Sequence, residues 1–78
     1  MYSRLSRHFQ VIRFNEEFTE FKSKYHYWRT VRHGQSQFFL HHKHNKCDTY
    51  HRQIKYPVSI NKIIKIVIDH DAYMDSIR

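Results

Sequence analysis

The 78-residue chain contains one glycine, one proline and one cysteine, so it has few residues that bend, break or cross-link a chain. The lone cysteine, Cys47, excludes a disulfide within the chain and favours a reducing compartment. The scarcity of glycine and proline argues against a flexible linker or a low-complexity tail. No apolar run approaches the ~20 residues that cross a bilayer, and the first residues lack the apolar stretch of a secretory signal. We therefore expect a soluble, cytoplasmic protein with a single domain over residues 1–78.

Acidic residues are also scarce. Seven Asp and Glu face fourteen Lys and Arg, which gives a formal net charge of +7, and eight histidines add positive charge as the pH falls. Such an excess favours an anionic partner, which is a nucleic acid, an acidic protein surface or an anionic lipid. No basic amphipathic helix with a clean apolar face is present, which disfavours a membrane surface.

One helix is predicted within the first third of the chain. Residues 1–14 fit either an N-terminal helix or an irregular arm. A helix is predicted over 15–26, because Asn15 is a favourable N-cap and the carboxylates of Glu16 and Glu17 suit the positive end of a helix dipole. Aromatic residues at three- and four-residue steps then form one apolar stripe, made of Phe18, Phe21 and Tyr25.

The middle of the chain is rich in aromatic and β-branched residues, which are typical of strands. Three strands are predicted, over 27–33, 36–42 and 50–56. Gly34-Gln35 is expected to close the first two strands as a hairpin, and Pro57 is expected to end the third.

Residues 59–68 fit two patterns. Alternation of isoleucine with Lys65 favours a strand, whereas the apolar spacing from Ile60 onward and a capping Ser59 favour a helix. We predict the helix, with Asp71 capping a last short turn. The expected fold is therefore α+β with the order α-β-β-β-α, in which residues 15–78 form a three-stranded antiparallel sheet with the helices packed on one face.

One pattern in this order resembles a known family. A tryptophan opens the first strand in the run Trp28-Arg29-Thr30-Val31-Arg32, Ser36 and Phe39 follow closely, and Lys55-Tyr56-Pro57 ends the third strand. With the expected helices before and after it, over roughly residues 16–77, this layout resembles the HicA family of small bacterial toxins. Those proteins have a fold similar to a double-stranded-RNA-binding domain and cleave messenger RNA.

The resemblance implies an RNA-binding protein and, in a toxin family, a possible antitoxin partner. Two positions depart from the family pattern. Gln35 occupies the place of a glycine, and Gln37 occupies the place of the histidine that serves the cleavage chemistry. A glutamine amide has no titratable proton near neutral pH and cannot act as a general acid or base. The resemblance therefore implies an RNA-binding relative with impaired or lost ribonuclease activity, and no catalytic residue is assigned.

The candidate contacts for RNA are mostly cations, because the planar fork of arginine pairs well with phosphate. The expected nucleic-acid-binding residues are Arg29, Arg32, Ser36, Gln37, Lys43, Lys46, Arg52 and Lys55, with Lys62 and Lys65 as further cations. Aromatic side chains that could stack on unpaired bases are Tyr27, Trp28, Phe38 and Tyr56. A small domain needs its rings inside, and we expect Trp28 in the core.

The chain also has a cluster of metal-ligand residue types: His41, His42, His44, Cys47 and His51. Their spacing is not that of paired zinc ligands, and the adjacent His41 and His42 should point to opposite faces of a strand. We interpret the cluster as a polar loop and expect no metal and no cofactor.

A second class of function fits the same features. Small size, high aromatic content and the lack of a clear catalytic set also suit a phage-encoded inhibitor, such as an anti-CRISPR-like protein, that blocks a host nucleic-acid-handling complex. In that case the partner is a host protein rather than RNA. A subunit of a larger ribonucleoprotein is supported by charge alone. The sequence does not indicate an oligomeric state.

Overall fold

Five antiparallel strands, hydrogen-bonded in chain order, form the framework of the molecule. The computed structural model describes residues 2–77, so Met1 and Arg78, the ends of the expected domain, lie outside the described residues. The helices and strands are α1 (Tyr2–Ser6), β1 (Gln10–Phe14), β2 (Phe18–Lys22), β3 (Tyr27–Arg32), β4 (Phe38–Lys43), β5 (His51–Arg52) and α2 (Ile60–Ser76). The class is α+β, as expected, with a sheet followed by a C-terminal helix.

The helix predicted over 15–26 is wrong, because this segment contains strand β2. The side chain of Asn15 accepts hydrogen bonds from the backbone N–H groups of Glu17 (2.8 Å) and Phe18 (3.0 Å). These bonds close the tight turn between β1 and β2 instead of capping a helix, since Asn offers the same oxygen to either structure. In β2, Phe21 pairs with Val11 on one side and with Trp28 on the other. This pairing on both sides overrides the local helical spacing.

The segment expected as an N-terminal helix or an irregular arm, over 1–14, is divided from residue 2 onward into the short helix α1 and the edge strand β1. Strands β1 and β2 together raise the number of strands in the sheet from the expected three to five. The strands predicted over 27–33 and 36–42 are confirmed, to within a few residues, by β3 and β4. The third predicted strand, 50–56, is reduced to the two residues of β5, and Pro57 follows it outside the sheet.

The C-terminal helix is confirmed. Ser59 is its N-cap, with a side-chain oxygen that accepts a 3.3 Å hydrogen bond from the backbone N–H of Lys62. The helix continues without a break through Asp71 to Ser76, so the predicted cap at Asp71 is wrong. Its buried residues, Ile63 and Val67, lie one turn apart on the face that meets the sheet.

The core lies between the two helices and one face of the sheet, which we call the helix face. Leu5 from α1 and Ile63 and Val67 from α2 belong to one buried cluster with side chains of the sheet, namely Phe21, Trp28, Phe38 and Leu40. Both described helices therefore pack on the same side of the sheet, although α1 is not the helix expected there. The opposite side, which we call the open face, consists of alternate strand residues and is covered by neither described helix. Within residues 2–77, no helix combines the length and apolarity needed to span a bilayer.

The core position of α2 can be tested with two isoleucines on the same helix. Ile63 is fully buried, whereas Ile68 is 45% exposed. We expect Ile63→Ala to lower the free energy of unfolding by about 2–5 kcal/mol, because it leaves a cavity under the helix. Ile68→Ala, with the same chemical change and a similar gain in helix propensity, should cost much less. Urea unfolding followed by circular dichroism measures both, and equal losses would contradict the assigned helix face.

Candidate nucleic-acid interface and histidine cluster

The open face presents three rows of side chains that run across neighbouring strands. Strand pairing places these rows as Glu20–Arg29–His41–Arg52, Lys22–Tyr27–Lys43 and Phe18–Val31–Phe39. Side chains two residues apart on a strand share a face, so successive rows lie about 7 Å apart along the strands. The result is a surface that combines basic and aromatic side chains, with one acidic residue, Glu20, at the end of the middle row.

Cations on the open face lie against aromatic rings. The guanidinium carbon of Arg29 and the Nζ of Lys43 each lie 4.5 Å from the ring centroid of Tyr50, the last residue of the β4–β5 loop. The guanidinium carbon of Arg52 lies 4.5 Å from the ring centroid of Phe39. These contacts hold long, otherwise mobile side chains in place before any ligand arrives.

The single acidic residue in the strands, Glu20, is used within the protein. Its carboxylate accepts a 2.7 Å hydrogen bond from Nε of Arg13 and a 3.2 Å hydrogen bond from the hydroxyl of Tyr50. Burial and the neighbouring carboxylate raise the pKa of Tyr50, so its hydroxyl remains a donor. Glu20 is only 8% exposed, and it therefore offers little repulsion to an approaching anion.

Negative charge is concentrated instead on the C-terminal half of α2, which has three aspartates. Two of them pair with lysines outside the sheet: Asp69 with Lys65 at 2.7 Å and Asp75 with Lys24 at 2.8 Å. The strands contain basic residues and one acid. The charge distribution is therefore uneven, and within residues 2–77 no carboxylate forms an ion pair with Arg29, Lys43 or Arg52.

The structure brings together three of the eight predicted contacts, because Arg29, Lys43 and Arg52 all belong to the open face. Arg32 is different. It donates hydrogen bonds to the backbone carbonyls of Glu16 and Gln35, which ties two turns together. The remaining four lie in exposed connections outside the rows: Ser36 and Gln37 in the β3–β4 hairpin, Lys46 in the β4–β5 loop and Lys55 between β5 and α2. The further cations Lys62 and Lys65 lie on α2.

Among the predicted stacking residues, Tyr27 lies on the open face. Trp28 is fully buried, which confirms its expected core position, and Phe38 is also buried. Tyr56 is 75% exposed but follows β5, away from the rows. Sequence reasoning missed three aromatic residues of this surface, namely Phe18, Phe39 and Tyr50. Phe39 could have been assigned to this surface from the sequence, because it alternates with His41 and Lys43 along one strand.

A second concentration of chemically active groups lies on the helix face, around Trp28. It consists of four histidines, which we call the histidine cluster: His26, His42, His44 and His70. The rings of His26 and His44 stack with centroids 4.3 Å apart, and the ring of His70 lies 4.8 Å from that of His26. One ligand nitrogen from each of His26, His42 and His44 lies within 4.8 Å of the other two.

The polar atoms of the histidine cluster are incompletely paired. The Nδ1 atoms of His26, His42 and His70 are buried and have no hydrogen-bond partner within the part of the chain that the structure describes. Burial, followed by the neighbouring imidazoles, lowers the pKa of His26 to about 4, and the pKa of His42 is lowered by the same causes. The carboxylate of Asp71 acts to raise the pKa of His26, but its effect is smaller than that of burial and the neighbouring imidazoles. The imidazoles of His26 and His42 are therefore neutral at pH 7, the form that binds metals.

A chain of hydrogen bonds lies next to the histidine cluster. The indole N–H of Trp28 donates to the hydroxyl of Ser23 (2.8 Å), and this hydroxyl donates to the Asp71 carboxylate (2.9 Å). The same carboxylate accepts from the backbone N–H of Lys24 (3.2 Å). This chain connects the β2–β3 turn to α2 beneath the imidazole rings.

The structure divides the histidine and cysteine group of the sequence analysis. His42 and His44 belong to the cluster, whereas His41 lies on the open face, as expected for neighbours in a strand. Cys47 and His51 are exposed. Sequence reasoning missed His26 and His70, because they are distant in the chain and are brought to His42 only by the fold.

Comparison with known proteins found no matching family model, no matching curated sequence and no matching solved structure. The fold and the site define a small α+β protein with a five-stranded antiparallel meander. One face of its sheet is packed by helices, and the other presents cations and aromatic rings.

The lowered pKa of His26 predicts acid sensitivity of the fold. An unfolded chain takes up this proton near pH 6.5, whereas the folded protein does so only near pH 4. The free energy of unfolding should therefore be largest above pH 6.5 and should fall by about 1–3 kcal/mol between pH 6.5 and 4. Urea unfolding across this pH range, with a chelator present, measures how steeply the free energy of unfolding changes with pH. His26→Gln should make the slope shallower and the exposed control His33→Gln should not; equal slopes would contradict the prediction.

Proposed function

We propose that this protein binds single-stranded RNA on the open face of its sheet. The observation that supports this most directly is the combination of basic and aromatic side chains, in three neighbouring rows, on a surface that neither described helix covers. Basic groups neutralise phosphates, and aromatic rings stack on bases of any sequence. Antiparallel sheets that bind single strands use this combination of groups.

The arrangement favours a single strand over a duplex. Bases of a duplex are stacked on one another, so they are not free to lie on rings such as Tyr27 and Phe39. Half-buried rings also offer one accessible surface while the other side packs on the sheet. Arg29 and Arg52, already held against rings, lie in the middle row, where they can contact phosphates on either side of a stacked base.

The resemblance to HicA-type toxins is a separate reason to expect RNA binding, and it stays a prediction. The helix expected before Trp28, and predicted over 15–26, is absent, since that segment contains β2. A double-stranded-RNA-binding-like surface is therefore not the basis of this proposal. Gln37 lies exposed in the β3–β4 hairpin, where its backbone carbonyl accepts a 2.8 Å hydrogen bond from the N–H of His33.

Charge and stacking can be separated with two matched pairs of variants. Arg52→Gln removes a cation from the open face, and Lys62→Gln removes an exposed cation from α2. We expect Arg52→Gln to weaken binding of a labelled U-rich RNA of about twelve nucleotides and to reduce the salt slope by about one. Lys62→Gln should change neither quantity. Fluorescence anisotropy at several salt concentrations measures both.

Tyr27→Leu tests stacking without a change of charge. It should cost about 1–3 kcal/mol of binding free energy at an unchanged salt slope, whereas Tyr73→Leu, on exposed α2 surface, should have no effect. A duplex of the same length should bind more weakly than the single strand. The proposal fails if RNA does not bind at low salt, or if all four variants weaken binding equally. Retention of a protein partner from nuclease-treated lysate, without RNA affinity, would support the inhibitor alternative instead.

The family resemblance has its own test in Gln37→His. If the hairpin corresponds to that of HicA-type toxins, the new imidazole supplies a general acid or base, and the variant should cleave RNA or arrest growth when expressed. Gln35→His, two residues away in the same exposed hairpin, is the control and should do neither. Cleavage is measured on a labelled messenger RNA. An inactive Gln37→His variant with intact RNA binding would remove the toxin resemblance and leave the binding proposal unaffected.

A further inference from the structure

The histidine cluster has the composition of a transition-metal site. Imidazole nitrogen is a preferred donor for Zn²⁺, and three imidazoles with a water molecule in the fourth position form a known type of zinc site. His26, His42 and His44 come from three different parts of the chain: the β2–β3 turn, strand β4 and the loop after it. Their convergence is therefore a product of the fold and not of local sequence.

The distances within this trio suit a metal after a small adjustment. Tetrahedral ligands at 2.0–2.1 Å from Zn²⁺ are separated by about 3.4 Å. The three candidate nitrogens lie within 4.8 Å of one another, so side-chain rotations that move each atom by about 1 Å close the site. His44 is exposed and provides a path for the ion from solvent. His26 is 6% exposed, and its Nδ1 has no hydrogen-bond partner.

Among the described residues, five buried side-chain nitrogens have no hydrogen-bond partner; two, on Arg29 and His41, belong to the open face, and the other three belong to the histidine cluster. A buried polar atom without a partner costs free energy, and the histidine cluster contains three, on His26, His42 and His70. The stacked rings of His26 and His44 would repel each other if both were protonated. A cation coordinated through Nδ1 of His26 and of His42 would satisfy two of these three nitrogens and remove their share of this cost.

We propose that His26, His42 and His44 form a Zn²⁺ site. The Asp71–Ser23–Trp28 hydrogen-bond chain fixes the surroundings of the three rings, as outer groups commonly do at metal sites. The ion connects the β2–β3 turn to β4 and its following loop. In a domain of this size, which has no disulfide within the chain, such a link contributes directly to stability.

The first experiment measures Zn²⁺ binding to the full chain, purified without a histidine tag and treated with a chelator. Calorimetric titration with zinc chloride should saturate at one ion per chain. Thermal unfolding with Zn²⁺ at 100 times the measured dissociation constant should show a midpoint raised by about 10 °C or more. Absence of saturable binding, or binding that lowers or leaves unchanged the unfolding midpoint, would overturn the proposal.

The second experiment uses variants that identify the ligands. His44→Ala removes an exposed ligand and should leave the apo-protein folded, while reducing Zn²⁺ affinity by about 100-fold or more. His33→Ala removes an exposed histidine from another loop and is the matched control. His41→Ala removes the neighbour of His42 on the opposite face. Both controls should keep the wild-type affinity, and circular dichroism verifies that each variant is folded.

Nuclear magnetic resonance provides a readout that does not depend on any substitution. Nitrogen-15 shifts of the imidazole rings in the wild-type protein should change on Zn²⁺ addition for His26, His42 and His44 and remain constant for His33 and His41. Changes confined to surface histidines, or equal affinity of His44→Ala and His33→Ala for Zn²⁺, would show adventitious binding and reject the site.

Discussion

The packing of Trp28 is the interaction on which the rest of the structure depends. Its indole lies fully buried on the helix face in a central strand, where it pairs with Phe21 and His42 on the neighbouring strands. Its N–H donates to Ser23, which donates to Asp71 on α2. One side chain thus connects the sheet, the β2–β3 turn and the C-terminal helix, and a buried ring of this size contributes much of the apolar surface in so small a core.

The position of Trp28 also separates the two chemical surfaces. Because successive strand residues point to opposite faces, burial of Trp28 places Tyr27 and Arg29 on the open face. The same alternation in β4 places His42 beside Trp28 and His41 and Lys43 on the opposite side. Register therefore determines which groups are available to a polyanion and which ones surround the histidine cluster. A shift of one residue would exchange them.

The two proposed sites are physically independent. RNA would contact the open face, whereas Zn²⁺ would bind between the sheet and α2. Their common element is β4, in which alternate residues contribute to each. The distribution of charge is consistent with this separation, since the aspartates of α2 lie on the helix side and the strand cations on the other. An anion approaching the open face meets little opposing charge.

The sequence by itself determined the basic character, the α+β class, β3, β4, the C-terminal helix and the burial of Trp28, because each follows from composition or from a strong local pattern. It did not determine β1 and β2. Asn15 offers the same hydrogen bonds to a helix cap as to a turn, and the choice was made by pairing of β2 with strands on both sides. The two sites likewise depend on tertiary structure. Arg29 and Arg52, or His26 and His42, are distant in the chain, and only strand register and helix packing bring their side chains together.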